Sequence, residues 1–466
     1  MKYDLLNIYK RYSTKELSFK LMATTLLSNK FTRIPSIYLV KKCLSQKKGS
    51  VFRATNNIYF SGETIHEATT ACENLARTGV YGILDYAVEG ESDEFHFETA
   101  INHTLQLIDL AHRSENMPFV VVKPTALGSS GVYEKVSKNL INSDEEKEDW
   151  QKIINRFYTI FDCASSRGVS VMVDAEQTTV QPAVDELMLL MMKKYNHHYP
   201  AIILTMQFYL KGKFNTLKEY YHLACNNDFI LGIKVVRGAY LEEEKKLDRE
   251  NLFFECKKDT DDSYNACIDY VSQRLERIHP FFATHNDESI QRIISNQNLS
   301  DARVWIGQLY GLGDHLTYSI KTMGFRVCKY LPYGPQKNHC LIFSAELKRM
   351  PLQHKPSRKN PNCYSESYVI VYYGGEMTSF KCKIVNRNKA FACFSDRTLL
   401  ESALISGVAI SYRCSMGYCG LCKVKLKSGK VKMEHSGGIS RKDTENGFIL
   451  PCCTIPFGDI EIETNE

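Results

Sequence analysis

Between residues 80 and 334 the chain repeats one rhythm, in which short runs rich in Val and Ile are each followed by a longer amphipathic segment. Short apolar runs of this kind read as parallel strands buried on both faces, and the segments between them as the crossover helices that parallel pairing requires. Eight runs fit: Gly82 to Tyr86, Phe119 to Val122, Val169 to Val173, Ile202 to Thr205, Leu231 to Val236, Phe281 to Thr284, Val304 to Gly307 and Arg326 to Tyr330. Eight such units in about 250 residues have the length of a closed (β/α)8 barrel. No Gly-rich phosphate turn follows the first run, which argues against an open doubly wound sheet. The fold class expected is α/β, a distorted (β/α)8 barrel preceded by helices in residues 1–75.

Chemistry in such a barrel sits at the C-terminal ends of the strands. The residues there are Asp85, Lys123, Asp174 with Glu176, Gln207, Arg237, His285 with Asn286, Gln308 and Tyr330. Loop starts are commonly polar, but agreement at all eight positions describes the mouth of an enzyme. Other conspicuous features carry structural readings. Met188, Met191 and Met192 lie at helical spacing and fit the barrel-facing side of a helix, and Asp144-Glu145-Glu146 fits a solvated helix start. Cys163, Cys225, Cys267 and Cys328 read as small buried apolar residues.

The remaining composition excludes several classes. With 44% apolar and 24% charged residues the chain is neither disordered nor fibrous. Its 59 basic and 53 acidic residues leave +6, too weak a balance to indicate a nucleic-acid partner. No run reaches the roughly 18 apolar residues of a membrane span. The first twenty residues lack a signal-peptide core and carry Asp4 and Glu16, so a cytoplasmic, reducing compartment is expected. The 16 cysteines are then thiols and metal ligands rather than a disulfide framework.

Residues 76–350 would form the barrel and 351–365, which include the basic PLQHKPSRKNP, a linker. Residues 366–466 would form a small α+β domain, opening on a hairpin over Ser379 to Phe394 and a short helix from Thr398 to Leu404. Cys414, Cys419 and Cys422 follow with C-x4-C-x2-C spacing, and Cys452 lies further on, the plant-type pattern for a 2Fe-2S cluster. Gly417 and Gly420 let backbone amides approach the sulfides. Zinc usually takes two close cysteine pairs, and only one C-x2-C is present. Cys452 is preferred to its neighbour Cys453 by register before the terminal strand.

CSMGYCGLCKVKLKSG and FILPCCTIP resemble ferredoxin-like (β-grasp) domains fused to the C-termini of bacterial reductases. In the barrel LDYAVEG, VKPTALG, VDAEQTTVQPAVDELM, VVRGAYLEEE, THNDES, GQLYGLGDH and KYLPYGP resemble, in this order, the proline dehydrogenase family. That resemblance implies FAD, oxidation of proline to pyrroline-5-carboxylate by hydride transfer to flavin N5, and onward transfer to a quinone or another acceptor. A peripheral contact with the inner membrane would follow from a quinone acceptor. By motif, Gln207, Lys234, Arg237, Tyr240 and His285 are implied to contact FAD, while Lys123, Asp174 and Tyr330 face the substrate. Asp174 beside Lys123 would form a buried pair, and the structural alternative for Arg237 is an ion pair with Glu242, Glu243 or Glu244.

One segment departs from the family. Where the resemblance implies an adjacent arginine pair gripping the substrate carboxylate, followed by Glu-Asn, this chain reads QKNHCLIFSAELKRMPLQ. Lys348 and Arg349 could substitute if Leu341, Ile342, Phe343 and Leu347 seat a short helix over the barrel mouth. The departure leaves a dehydrogenase of 4-hydroxyproline or another cyclic amino acid, or a flavin and iron-sulfur redox sensor, as alternatives.

Overall fold

The computed structural model describes residues 17–18, 58–86, 93–241, 244, 250–335, 379–394, 398–406, 408–412, 417, 419–433, 435 and 437–464. The chain divides into two compact units, to which residues 58–335 and 379–464 belong respectively. In the first, eight strands run β1 (Tyr81–Tyr86), β2 (Phe119–Val122), β3 (Ser170–Val173), β4 (Ile202–Gln207), β5 (Leu231–Val236), β6 (Ile278–Ala283), β7 (Trp305–Leu309) and β8 (Arg326–Tyr333). All are parallel, in the order β1-β8-β7-β6-β5-β4-β3-β2. Only the β1 and β2 edges lack a ladder; the Gly82 N–H donates across to the Asn116 carbonyl at 3.0 Å, so the barrel nearly closes.

The helices are α1 (Ile65–Ala76), α2 (Glu94–Arg113), α3 (Ser130–Ser137), α4 (Asp144–Ser166), α5 (Gln181–Tyr195), α6 (Lys213–Asn226), α7 (Lys257–Ser272), α8 (Asp287–Ser295) and α9 (Asp314–Thr322). Alternation along each strand sorts the core. Ile83, Phe119, Val121, Met172, Ile203, Phe281 and Cys328 fill the barrel, whereas Leu84, Val120, Val171, Leu204 and Val235 pack in the larger core that includes the helices. Gly307 is required by that filling, because a Cβ there would stand 2.2 Å from the Phe281 ring. Among the described residues no helix is long and apolar enough to cross a membrane.

All eight expected strands are present, with shifted ends. Strand β6 starts three residues early, through Pro280, because pairing with β7 begins only at Phe281 and the missing proline N–H is not needed there. Asp85 and Tyr330, expected past their strands, are the inward residues near the ends of β1 and β8. The acidic run opens α4, where Ser143 and Glu146 form a reciprocal cap. Met188, Met191 and Met192 are buried. Cys267 and Cys328 are buried too, but Cys163 is half-buried and Cys225 exposed, beside buried Ala224 on amphipathic α6.

The second unit is a five-stranded mixed sheet, ordered β10 (Lys389–Phe394), β9 (Ser379–Ile384), β15 (Ile460–Glu463), β11 (Val424–Ser428), β13 (Phe448–Ile449). Strand β15 runs parallel to β9, and the other pairs are antiparallel. Helix α10 (Leu399–Ile405), capped reciprocally by Thr398 and Glu401, contributes Leu399, Leu400 and Ala403 to one core with Cys382, Phe391 and Ile462. A two-stranded piece, β12 (Val431–Met433) with β14 (Thr454–Pro456), completes it. The sheet with one helix across it is the ferredoxin-like architecture expected.

Candidate active site and cluster loop

At the C-terminal end of the barrel, side chains from β3, β5 and β8 meet. Lys234 donates to Asp174 Oδ1 at 2.6 Å and to the Tyr330 hydroxyl oxygen at 2.6 Å, with its ammonium 4.2 Å from the Tyr330 ring centroid. The Tyr330 hydroxyl in turn donates to Met172 Sδ at 3.2 Å. The Lys234 side chain is 8% exposed, and a cation so buried persists only when a carboxylate and further acceptors replace its water.

This corrects the expected Lys123–Asp174 pair. Lys123 lies 3.6 Å from Asp85 instead, across the β1–β2 edge. The physical reason is room. Lys234 reaches over β4 to β3 because the inward β4 residue opposite it in register is Thr205, too short to block its stem.

Arg237, just past β5, spends its donors elsewhere than on Glu242–Glu244. Nε donates to Asp261 Oδ1 at 2.6 Å, one terminal nitrogen to Thr284 Oγ1 and the other to Ser289 Oγ, both at 2.8 Å, and the guanidinium covers the Tyr264 ring at 4.3 Å. Glu244 is taken by Thr178, while Glu242 and Glu243 lie outside the described residues. Gln207 donates to the Glu176 carbonyl at 2.8 Å and accepts from the Ala239 N–H at 3.4 Å. Tyr240 is half-buried, and its carbonyl receives the Glu244 N–H. His285 Nε2 accepts the Leu309 N–H at 3.0 Å, and burial, with the nearby Lys329 charge, pushes its pKa down to about 3. The imidazole is therefore neutral, with its proton on Nδ1.

These residues suit a flavin. They supply a buried cation, a guanidinium and amide donors around one apolar-floored mouth. One further observation fits a polar ligand: Thr205, 3% exposed, has a buried hydroxyl with no hydrogen-bond partner among the described residues. Buried hydroxyls are ordinarily satisfied.

The sequence reading missed Thr205, Met172 and Asp261. Inward alternation on β3 and β4 was available for the first two. Nothing local marks Asp261, which meets Arg237 from α7, 24 residues on. Nor was His103 found; it stacks on Tyr86 with centroids 3.9 Å apart and hydrogen-bonds the buried Tyr333 hydroxyl.

In the second unit Cys422 and Cys452 are both buried and unbonded, with sulfurs 3.3 Å apart. The Cys422 thiol donates to Cys452, which lowers the pKa of Cys452, with help from a backbone N–H at Gly417, and raises that of Cys422. Gly420 has φ +69°, and a Cβ there would stand 2.4 Å from the Gly438 carbonyl oxygen. The half-buried Cys453 thiol donates to the Leu450 carbonyl at 3.5 Å and also lies close enough to Cys452 to act on it electrostatically. Cys419 is exposed, and among the described residues no three His, Cys, Asp or Glu side chains converge as a metal site. Cys414, Lys348, Arg349 and the residues 341–347 that would seat their helix lie outside the described residues, as does the linker. Two buried, adjacent thiols suit ligation by iron.

Residues 68–341 match the family described as proline dehydrogenase, and residues 383–457 match the 2Fe-2S iron-sulfur cluster binding domain. The chain is 51% identical over 332 residues to the carbapenem antibiotics biosynthesis protein CarD of Pectobacterium carotovorum subsp. carotovorum, covering 71% of this chain and 88% of that one. It is 30% identical over 332 residues to the mitochondrial proline dehydrogenase 1 of Dictyostelium discoideum, covering 59% and 58% of the two. The crystal structure of proline utilization A (PutA) from Bdellovibrio bacteriovorus, inactivated by N-propargylglycine, aligns with a TM-score of 0.59 at 17% identity over 74% of this chain and 41% of that one. That likeness speaks for the barrel fold alone, and the chain spans about half the length of the last two proteins.

Proposed function

This chain belongs to the proline dehydrogenase family and is an oxidoreductase, and from that premise we propose that it oxidises L-proline to pyrroline-5-carboxylate, with FAD in the barrel mouth and a 2Fe-2S cluster as the next carrier toward a quinone or another acceptor. The observation that carries this reading is the Asp174–Lys234–Tyr330 constellation at the strand ends of a family barrel. Bound FAD would take the two electrons released as a C–H and an N–H bond of proline give way to a C=N bond, and the cluster would carry them one at a time.

The protein's own residues do the rest. Asp174 holds the Lys234 ammonium aimed into the mouth, where it stabilises negative charge that develops during reaction. Lys234, Arg237, Gln207, Tyr240 and His285 hold FAD. Neutral His285 contributes an N–H without adding charge. Tyr330 offers a ring face to the pyrrolidine, and Lys123, 20% exposed, meets its carboxylate together with Arg349. Cys414, Cys419, Cys422 and Cys452 ligate the cluster.

A role in synthesis rather than breakdown has its own support. The relative that is 51% identical is named for carbapenem biosynthesis. The proposed product, pyrroline-5-carboxylate, is a reactive five-membered nitrogen ring bearing a carboxylate, which synthesis can draw on as well as breakdown. The test is product analysis by mass spectrometry after incubation with L-proline, trans-4-hydroxy-L-proline and pipecolate. Pyrroline-5-carboxylate formed fastest from proline supports the reading; preference for hydroxyproline or pipecolate moves the substrate.

A further inference from the structure

Two buried glutamates stand behind the barrel mouth and have no place in the chemistry proposed above. Glu176, 8% exposed, accepts on one oxygen both the N–H and the hydroxyl of Thr125, at 3.0 and 2.8 Å. Glu244, 1% exposed, accepts the N–H of Thr178 on one oxygen and its hydroxyl on the other, at 2.6 and 2.7 Å. The same two-donor grip thus occurs twice in series, since Thr125 follows Lys123 by two residues and Thr178 follows Glu176 by two.

The remaining groups of the junction join the same set. The Glu176 N–H donates to Gln181 Oε1 on α5 and its carbonyl accepts from Gln207 on β4, both at 2.8 Å. The Glu244 N–H donates to the Tyr240 carbonyl at 2.9 Å. The loops after β2, β3 and β5, with the end of β4, are therefore tied into one wall. On that wall stand Lys123, Asp174, Gln207 and Tyr240.

We propose that Glu176 and Glu244 are positioning residues with separate outputs, Glu176 fixing Lys123 for the substrate carboxylate and Glu244 fixing the Arg237–Tyr240 segment for FAD. The proposal rests on the functional reading above. Neither glutamate touches substrate or flavin; each acts through the threonine it holds. Charge-assisted hydrogen bonds of this kind are short, strong and directional, which suits a buried brace between loops.

The test removes one hydroxyl at a time from the threonines. Thr125→Val should raise the KM for L-proline roughly five- to fifteenfold, the part of one such bond's worth that reaches Lys123 through the loop, with kcat and FAD affinity unchanged. Thr178→Val should weaken FAD binding to apoprotein by a similar factor, about five- to fifteenfold, with the KM unchanged. Thr125→Ser and Thr178→Ser keep the hydroxyl and should restore the parent values. Two arms need no turnover: FAD titration of apoprotein, and perturbation of bound-FAD absorbance by cyclopentanecarboxylate, which lacks the oxidisable amine. If the parent oxidises no cyclic amino acid yet these arms split as stated, the functional reading fails and the brace stands. If both valine variants move both affinities together, or neither, or if serine does not rescue, the brace is overturned.

Discussion

The barrel mouth and the cluster loop solve opposite electrostatic problems. In the mouth, Asp174 is matched by Lys234 and Asp85 by Lys123, and Arg237 is held by Asp261. In the loop, the buried Cys422 and Cys452 sulfurs sit 3.3 Å apart, joined by a thiol hydrogen bond. The mouth pairs its own charges and can fold before a cofactor arrives, whereas the thiols proposed to ligate the cluster must give up their protons to the solvent before a metal can take their place. Metal affinity at such a loop is folding free energy. The second unit should therefore depend on its cofactor far more than the first.

The largest effect should come from the loop. Cys452→Ser is expected to abolish iron and sulfide, about two of each per chain in the parent by plant-type stoichiometry, and to lower the unfolding temperature of the C-terminal unit, with FAD content intact. Retained iron, or zinc in its place, would remove the contrast.

Lys234→Met should come next, destabilising the barrel by about 3 kcal/mol because it leaves Asp174 without its cation. The Lys234→Met, Asp174→Leu double variant should regain most of that stability and none of the proline-dependent flavin reduction. A stable single variant would mean that the pair is dispensable to the fold.

Arg349→Ala sharpens the comparison by testing the proposed carboxylate grip, at the segment whose sequence departs from the family pattern. Losing a charge-assisted bond to the substrate is worth about 1.5–3 kcal/mol, so the KM for proline should rise roughly ten- to more than a hundredfold, with FAD binding unchanged. Unchanged kinetics in the Lys348→Ala, Arg349→Ala double variant would place the grip elsewhere.

Acid should separate the units more gently. Burial holds His285 at about 3 and His103 at about 4 in the fold, below the usual value near 6.5. Between those values the unfolded chain binds protons that the folded barrel refuses, so stability is complete above about pH 6.5 and falls as pH drops. His285 alone should cost about 2 kcal/mol at pH 5. The second unit has no buried histidine among its described residues, so calorimetry at pH 7 and pH 5 should move the barrel transition and not the other through this cause.

The same contrast explains what could be read from the chain. Cysteine spacing is local, and so were the eight Val- and Ile-rich runs, which the structure carries as the eight barrel strands. Pairing inside the mouth is not local. Asp174 and Lys234 are 60 residues apart, and Tyr330 lies 96 further on, brought together by strand register and by the shortness of Thr205 between them. Motif order could name Lys123, Asp174 and Lys234 as mouth residues, yet which carboxylate each lysine meets depends on which inward neighbour leaves room. Asp261 and His103 reach the barrel top from helices whose sequence shows only amphipathic periodicity.

The most direct measurement is an anaerobic titration of the protein, carrying both FAD and iron, with L-proline, followed by visible absorbance and electron paramagnetic resonance. Proline should bleach the flavin band and produce the signal of a reduced 2Fe-2S cluster, while Cys452→Ser should keep the first response and lose the second. A flavin band unmoved by proline or any other cyclic amino acid would contradict the assignment of the barrel mouth as an amine-oxidising site.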